Sequence, residues 1–206
     1  MLEFVLATHN KNKVREMERL LGQTLGNKVE FSVKTAEQVG MTDEIEENGS
    51  IFEENARIKA RALASDRYIS IADDSGLSVD ALGGAPGVYS ARWSGEGDAG
   101  NNQKLLSELE GKRGEERRAR FVTAVCCILP DGRELVLHGE CEGLILDAPR
   151  GEGGFGYDPL FLYEPLGRSF AELSGDEKNA VSHRGRAMRA LADRLAQIYI
   201  GGTVNK

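Results

Sequence analysis

Two adjacent carboxylates, Asp73 and Asp74, stand between an apolar run and a predicted turn. Residues 68–72 are apolar and partly β-branched, as in a buried strand, and Ser75-Gly76 has the composition of a turn. We therefore predict that both carboxylates lie at the carboxyl end of a strand, where open α/β sheets tend to bind ligands. Carboxylates this close repel each other unless a cation or a proton lies between them.

Three interpretations of this stretch are open. The acids could simply belong to a turn, since Asp-Asp-Ser-Gly is good turn chemistry. A calcium loop is a weaker interpretation, because the spaced ligands and terminal Glu of an EF-hand are missing. The third interpretation is a hard-cation site that also activates water. The three histidines, His9, His138 and His183, form no apparent zinc cluster, whereas oxygen ligands are plentiful. The cation would then be magnesium or manganese.

A candidate anion site lies near the start of the chain. Residues 2–7 read as a strand and a helix follows from about Val14, so the polar segment between them meets a helix N-terminus. This segment consists of Thr8, His9, Asn10, Lys11, Asn12 and Lys13. The two lysines could equally be solvated, and the segment lacks the glycines of a P-loop. A short second strand is predicted over residues 29–33.

An acidic run over residues 43–49, including Glu47, precedes a predicted helix over residues 50–63. By default such a run is a solvated loop. Ser50 as N-cap and Glu53 would complete a capping box. Asn55 and Lys59 share a face with apolar residues, which is unusual for a purely structural stripe. Lys59 could instead extend past the core edge to solvent.

The glycine-rich stretch 151–156 matches G-x-G-x-x-G by letters, but Pro159 opposes the helix that a dinucleotide site requires. Its backbone groups and the Phe155 ring could read a purine base edge, or Phe155 could pack inward in a hairpin loop. His183 and Arg184 begin a helix predicted over residues 182–199, against the usual dipole preference for acids. Three arrangements would relieve this unfavourable placement of basic side chains at a helix N-terminus: an anionic ligand, a neutral His183 hydrogen-bonded to a base, or solvent exposure of the pair.

The remaining pattern predicts a helix over residues 98–109 that is capped by Asp98. It also predicts two strands, over residues 120–129 and 134–146, joined by a turn at 130–132. The segment over residues 147–170 is predicted to be rich in loops. We expect a mixed sheet covered by helices, in one domain spanning residues 1–206 or two closely packed lobes. His138 has no nearby ligand-type partner in the sequence and is interpreted as structural.

The charge of −7 and pI near 5.2 argue against a nucleic-acid polymer as the main partner. No apolar run is long enough to span a membrane, and no signal peptide is apparent. Three cysteines without a C-x-x-C pair indicate reduced core thiols in a cytoplasmic protein.

Six stretches carry a resemblance. They are residues 7–13, residues 46–49 with 52–59, residues 72–77, residues 84–87 with 90–92, residues 153–159 and residues 182–185. In type and order they resemble the inosine triphosphate pyrophosphatases, also called the Ham1 or dITP/XTP pyrophosphatase family. Each stretch alone is weak evidence for the family, but six such stretches in the same order over about 180 residues are highly specific for it.

The resemblance implies hydrolysis of ITP, dITP and XTP to the monophosphate and pyrophosphate with Mg²⁺, which would cleanse the nucleotide pool. It also implies a homodimer of an elongated α/β fold, with a mixed sheet and two lobes around a central cleft. By position, Asp74 would be the proton acceptor, and Glu47 and Asp74 would hold the metal with support from Asp73. Residues 8–13 would bind phosphates. Other substrate contacts would come from Lys59, Ser75, Phe155, Gly156, Tyr157, Asp158, Lys178, His183 and Arg184.

Attack on the α-phosphorus requires a water oriented or deprotonated by a carboxylate, and cations to balance the triphosphate. Lys13 and Lys59 would stabilise charge on the leaving pyrophosphate. We expect discrimination against ATP and GTP, and donors aimed at a 6-keto group would leave the adenine edge of ATP unmatched. Two rivals are a pyrophosphatase of the related Maf group, acting on pyrimidine or modified nucleotides, and a nucleotide sensor without turnover.

Overall fold

The computed structural model describes residues 1–26, 29–43 and 45–199. Its strands are β1 (Leu2–Leu6), β2 (Phe31–Thr35), β3 (Ile69–Val79), β4 (Arg118–Ile128), β5 (Glu134–Ile145), β6 (Phe161–Tyr163) and β7 (Arg168–Ser169). Its α-helices are α1 (Lys11–Leu25), α2 (Phe52–Ala62), α3 (Gly97–Glu108), α4 (Gly175–Val181) and α5 (His183–Tyr199). Over the described ranges, no helix is both long and apolar enough to pass through a membrane.

The strands form one seven-stranded sheet in the order β2-β1-β3-β4-β5-β6-β7. Strand β1 runs parallel to β2 and to β3, whereas β6 runs antiparallel to β5 and to β7. The predicted mixed α/β sheet is therefore confirmed.

Contacts divide the chain into two compact units. Unit 1 contains Met1–Asp74, Thr123–Gly139 and the chain from Gly185 onward; unit 2 contains Ser75–Val122 and Glu140–Arg184. The division falls within β3, β4 and β5, so each of these strands contributes residues to both units. The assignment of residues 1–206 to a single domain stays a prediction.

Alternation along β1 explains the core of unit 1. Phe4 and Leu6 belong to a buried cluster with side chains of α1 and α5, whereas Val5 belongs to a second cluster with side chains of α2. Successive strand residues point to opposite faces of a sheet. Helices α1 and α5 therefore cover one face of the sheet in unit 1, and α2 covers the other. The sequence predicted that helices cover the sheet but did not assign them to its faces.

The core of unit 2 is built around aromatic rings. The Phe121 and Phe170 rings are stacked with centroids 5.7 Å apart, and Phe161 lies 4.7 Å from Phe121 at a tilt. Leu105 and Leu109 of α3 are fully buried in the same cluster, and Leu106 is partly buried against it. Helix α3 is thereby fixed to unit 2.

Several predicted boundaries are wrong for physical reasons. Strand β3 does not end at Ser75-Gly76 but continues to Val79, because β4 lies beside it in the sheet. The turn interpretation of Asp73 and Asp74 is therefore wrong. Strand β2 begins at Phe31, two positions later than predicted.

Two helix starts also differ. Ile51, not Ser50, is the N-cap of α2, because Glu54 instead of Glu53 accepts hydrogen bonds from the Ser50 backbone N–H and hydroxyl. Glu96 holds the N-cap position of α3 without a side-chain capping hydrogen bond, and Asp98 lies in the first turn. Helix α4 was not predicted from the sequence. The predicted strands β4 and β5 and the turn between them are confirmed.

Candidate active site

The polar segment after β1 forms the cap of α1. Asn10 Oδ1 accepts hydrogen bonds from the backbone N–H groups of Asn12 (3.0 Å) and Lys13 (3.2 Å). Thr8 Oγ1 accepts one from the Asn10 backbone N–H at 3.2 Å. No acidic side chain lies in the first turn of α1, which leaves the positive end of its dipole facing the segment. Lys11 is exposed here. The predicted strand, polar segment and helix N-terminus are confirmed, and the binding of an anion there stays a prediction.

His9 in this segment contacts the chain that follows β2. Its Nε2 lies 3.2 Å from the Asp43 carbonyl oxygen, and its Nδ1 lies 3.7 Å from the Glu37 carboxylate. The phosphate-binding role assigned to His9 by the resemblance stays a prediction. Glu44, one of the acids in the predicted run, lies outside the described residues.

The two adjacent aspartates have different partners. The Asp73 carboxylate lies 3.2 Å from Lys13 Nζ, in a buried position at the start of α1. The Asp74 carboxylate contacts side chains of α2 instead. Neighbouring strand residues point to opposite faces, so β3 separates charges that the sequence alone places side by side.

A group of four side chains, the carboxylate cluster, consists of Glu47, Asn55, Lys59 and Asp74. The last three are buried, and the Glu47 side chain is 29% exposed. Lys59 Nζ lies 3.0 Å from Glu47 Oε2 and 3.5 Å from Asp74 Oδ1. The Lys59 side chain is only 9% exposed, which contradicts its extension to solvent. The acidic run is therefore more than a solvated loop, because its Glu47 supplies one side of this cluster.

The environment of Asp74 suits a proton acceptor. Burial raises the pKa of Asp74 above its ordinary value, while the ammonium groups of Lys59 and Lys13 act in the opposite direction. A carboxylate that binds protons more readily is a stronger general base near neutral pH. The Thr123 hydroxyl of β4 donates to the Asp74 carbonyl oxygen at 3.2 Å, which fixes the backbone at this point.

The cluster also fits a hard cation. Among the described residues, histidine, cysteine, aspartate and glutamate side chains form no group of three or more that could hold a metal ion. The carboxylates of Glu47 and Asp74 nevertheless converge on one ammonium group. Two carboxylates completed by substrate phosphates are a common environment for Mg²⁺, which seldom uses an all-protein cage. The oxygen donors therefore suit Mg²⁺ or Mn²⁺. The roles of Glu47, Asp74 and Asp73 as metal ligands stay predictions.

In unit 2, the start of α5 is buried. Arg184 donates from its guanidinium to Ser75 Oγ at 3.1 Å, and the His183 ring stacks on Phe121 with centroids 4.8 Å apart. Both side chains belong to residues no more than 4% exposed, so solvent exposure of this pair is wrong. The Phe155 ring lies 5.8 Å from the Arg184 guanidinium carbon.

The glycine-rich loop is held by a second buried charge pair. Lys178 Nζ lies 2.6 Å from Asp158 Oδ2 and 4.6 Å from the centre of the Phe155 ring. The same carboxylate accepts a hydrogen bond from the Phe155 backbone N–H at 2.9 Å. Gly154 has φ of +73°, and a Cβ atom there would collide with the Asp158 carboxylate. The loop thus requires glycine at this position.

Helix α3 supplies contacts that the sequence did not predict. Asp98 Oδ2 accepts from the Gly156 backbone N–H at 2.7 Å, and Asn102 Nδ2 donates to the Gly156 carbonyl oxygen at 2.9 Å. The Tyr157 hydroxyl donates to the Ser90 carbonyl oxygen at 2.9 Å. The helical spacing of Asp98 and Asn102 places them on one face, which was the available signal. It could not identify the loop that they hold.

A sequence model of the Ham1 family matches residues 4–194. A Bacillus anthracis protein named dITP/XTP pyrophosphatase is 46% identical over 206 residues, covering 98% of this chain and 100% of its own. A protein of that name from Geobacter sulfurreducens is 49% identical over 198 residues, covering 95% and 97% of the two chains.

Solved structures are similarly related. A HAM1 protein from Coxiella burnetii is 41% identical with a TM-score of 0.83, and covers 96% of this chain and 100% of that protein. The Ham1 protein of Staphylococcus aureus is 36% identical with a TM-score of 0.80, covering 95% and 99%. These matches extend over nearly the whole length of each protein. This chain therefore belongs to the Ham1 family.

Proposed function

We propose that this chain hydrolyses non-standard purine nucleoside triphosphates, namely dITP, XTP and ITP, to the monophosphate and pyrophosphate. The observation that carries the proposal is the buried position of Lys59 Nζ against the carboxylates of Glu47 and Asp74. It supplies a cation for phosphate oxygens beside a carboxylate that can accept a proton. The names of the full-length relatives point to the same reaction.

The anion-binding segment supports the phosphate end of this proposal. The N-terminus of α1, with Lys13 at its first turn, would bind phosphate oxygens together with residues 8–12. Lys59 would neutralise charge that develops on the leaving pyrophosphate. When bound, Mg²⁺ or Mn²⁺ held by Glu47 and Asp74 would act as a Lewis acid on the phosphates.

Asp74 would accept the proton of the attacking water. The water oxygen forms a bond to the α-phosphorus, the bond from that phosphorus to the bridging oxygen breaks, and pyrophosphate leaves. The raised pKa of Asp74 favours this role, because the carboxylate then has a stronger affinity for the proton.

The unit 2 residues would recognise the base and the remaining substrate. The Phe155 ring would offer a surface on which the base stacks, and the neighbouring backbone groups of Gly156 and Tyr157 would contact the substrate beside it. Lys178, His183 and Arg184 carry donors suited to a 6-keto oxygen or to an anionic group. Asp158 orients Lys178, and Ser75 orients Arg184. Adenine lacks that oxygen and would form none of these hydrogen bonds, which favours discrimination against ATP. Guanine carries the same oxygen, so discrimination against GTP would require a further contact.

Product analysis tests the proposal directly. Wild-type chain with Mg²⁺ should convert ITP, dITP and XTP to monophosphate and pyrophosphate, with ATP and GTP turned over much more slowly. Release of the nucleoside diphosphate and inorganic phosphate would contradict cleavage at the α-phosphorus. A preference for pyrimidine or modified nucleotides would favour Maf-like activity, and binding without turnover would indicate a sensor.

Asp74→Asn tests the catalytic role within that experiment. The kcat of the variant should be lower than that of wild type by a factor of about 10²–10⁴, the usual contribution of a general base. Asp80→Asn, at an exposed aspartate just after β3, is the matched control and should retain wild-type turnover. Equal turnover by wild type and Asp74→Asn would remove Asp74 from the mechanism.

We further propose that the enzyme acts as a homodimer in the cytoplasm, where nucleoside triphosphates are consumed. Light scattering of the purified chain measures the oligomeric state, and a mass equal to one chain would contradict the dimer.

A further inference from the structure

Asn55 joins two parts of the carboxylate cluster through one buried amide. Its Oδ1 accepts a hydrogen bond from the Gly49 backbone N–H at 2.8 Å, and its Nδ2 donates to Asp74 Oδ2 at 3.0 Å. The residue is 1% exposed. We propose that Asn55 is a positioning residue, which holds Asp74 and the segment carrying Glu47 in the arrangement that hydrolysis requires. This inference rests on the proposed function.

The Asp74 carboxylate is held through both of its oxygens by one helix. Asn55 donates to Oδ2, and Lys59, one turn further along α2, lies 3.5 Å from Oδ1. Residues four apart on a helix lie on the same face, so α2 presents both donors together. Rotation of the carboxylate would break at least one of these contacts. Its orientation is therefore set by α2 and not by β3 alone.

The second contact of Asn55 orders the acidic segment. Gly49 follows Glu47 closely in the chain, so the hydrogen bond to its N–H restrains the position of the Glu47 backbone. A Cβ atom on Gly49 would lie 2.6 Å from Asn55 Oδ1 and 2.7 Å from Glu54 Cβ. Only glycine permits this approach without displacement of α2 or the segment.

The chemistry of these contacts selects asparagine. The site needs an acceptor for an N–H and a donor to a carboxylate at the end of a short side chain. An ionised aspartate would provide only the acceptor and would repel Asp74, and glutamine would extend the amide by one methylene. Residues that orient metal and catalytic ligands commonly affect activity or metal affinity by about 10–100-fold when they are changed.

Asn55→Leu tests the inference, since leucine is similar in size and forms neither hydrogen bond. We expect kcat for ITP to fall about 10–100-fold, with KM within about twofold of wild type. Mn²⁺ binding, measured without nucleotide by the paramagnetic resonance of free Mn²⁺, should weaken about tenfold. Asn55→Ala provides a second variant should leucine prevent folding, and circular dichroism verifies that each variant is folded.

Asn101→Leu is the matched control, because Asn101 is also a buried helical asparagine but bonds to Ser94, Ser90 and Ala91. Its Mn²⁺ affinity should equal that of wild type. A folded Asn55 variant with wild-type kcat, or one changed only in KM, would overturn the inference. If wild type releases no pyrophosphate, the proposed function fails, and unchanged Mn²⁺ affinity in Asn55→Leu would still overturn the positioning role.

Discussion

The ammonium group of Lys178 lies 2.6 Å from the carboxylate of Asp158, and both residues are at most 5% exposed. The pair comes from α4 and from the loop that carries Phe155. Loss of either charge would leave the other buried without this counter-charge, which is far more costly than loss of an exposed ion pair.

Lys178→Met should therefore lower the free energy of unfolding by about 3–5 kcal/mol. Asp158→Asn should destabilise less, because its amide oxygen can still accept from the Phe155 N–H. Urea unfolding of both single variants and the double variant gives the coupling energy. The double variant should be more stable than the sum of the single changes predicts, and strict additivity would contradict a coupled pair.

Arg117 should be more important for stability than its neighbour Arg118. The buried Arg117 guanidinium donates to the carbonyl oxygens of Leu109, Lys112, Ile145 and Leu146. Arg117→Lys cannot reproduce this set of contacts, and we expect a loss of about 2–4 kcal/mol in urea unfolding.

Arg118→Lys is the matched control for Arg117→Lys. Its guanidinium is partly exposed and pairs with Glu115 and Glu164 on the surface. Surface pairs contribute about 0–1 kcal/mol, so this variant should unfold almost as wild type does. Equal destabilisation by the two substitutions would show that the buried carbonyl contacts contribute little.

Asp98 should affect substrate affinity through the glycine-rich loop. Asp98→Ala removes the acceptor for the Gly156 N–H, and KM for ITP should rise about 3- to 10-fold while kcat stays within about twofold. Asp98→Asn keeps an acceptor oxygen and should restore most of the affinity. Steady-state kinetics of the two variants distinguishes loop positioning from a general loss of fold, which asparagine would not rescue selectively.

The native chain should react very slowly with thiol reagents. Cys126, Cys127 and Cys141 are buried and form no disulfide, and burial raises the pKa of Cys126 from 9.0 to about 12. At pH 8 its thiolate fraction falls from about 10⁻¹ to about 10⁻⁴. Iodoacetamide labelling at this pH, followed by mass spectrometry, should modify the unfolded chain rapidly and the native chain hardly at all.

The raised pKa of Cys126 also makes the free energy of unfolding depend on pH. The unfolded chain releases the Cys126 proton above pH 9.0, whereas the folded chain keeps it until about pH 12. Folded protein therefore binds more protons in this window, and its contribution to stability is lost as pH rises. Cys126→Ala should flatten the alkaline decline of the urea midpoint. An identical decline in both proteins would remove Cys126 as its cause.

The sequence alone determined several features of the candidate site. The change from strand pattern to polar segment to helix predicted the polar segment that precedes the N-terminus of α1. The placement of Asn55 and Lys59 on an apolar helix face marked these residues as unusual for a structural stripe, although extension of Lys59 to solvent was an equal alternative. The glycines and Phe155 predicted a backbone-rich loop. Each of these features is encoded within one short stretch, where local propensity and periodicity operate.

Only the tertiary structure decided which groups meet. Ser75-Gly76 looks like a turn, yet β3 continues because hydrogen bonding in the sheet outweighs local preference. Asp98 resembled a helix cap until the fold placed Gly156 against it. Likewise, the partners of Lys59 and Asn55 come from other segments of the chain. Such pairings depend on packing between distant stretches, so local spacing predicts the residue types but cannot identify their partners.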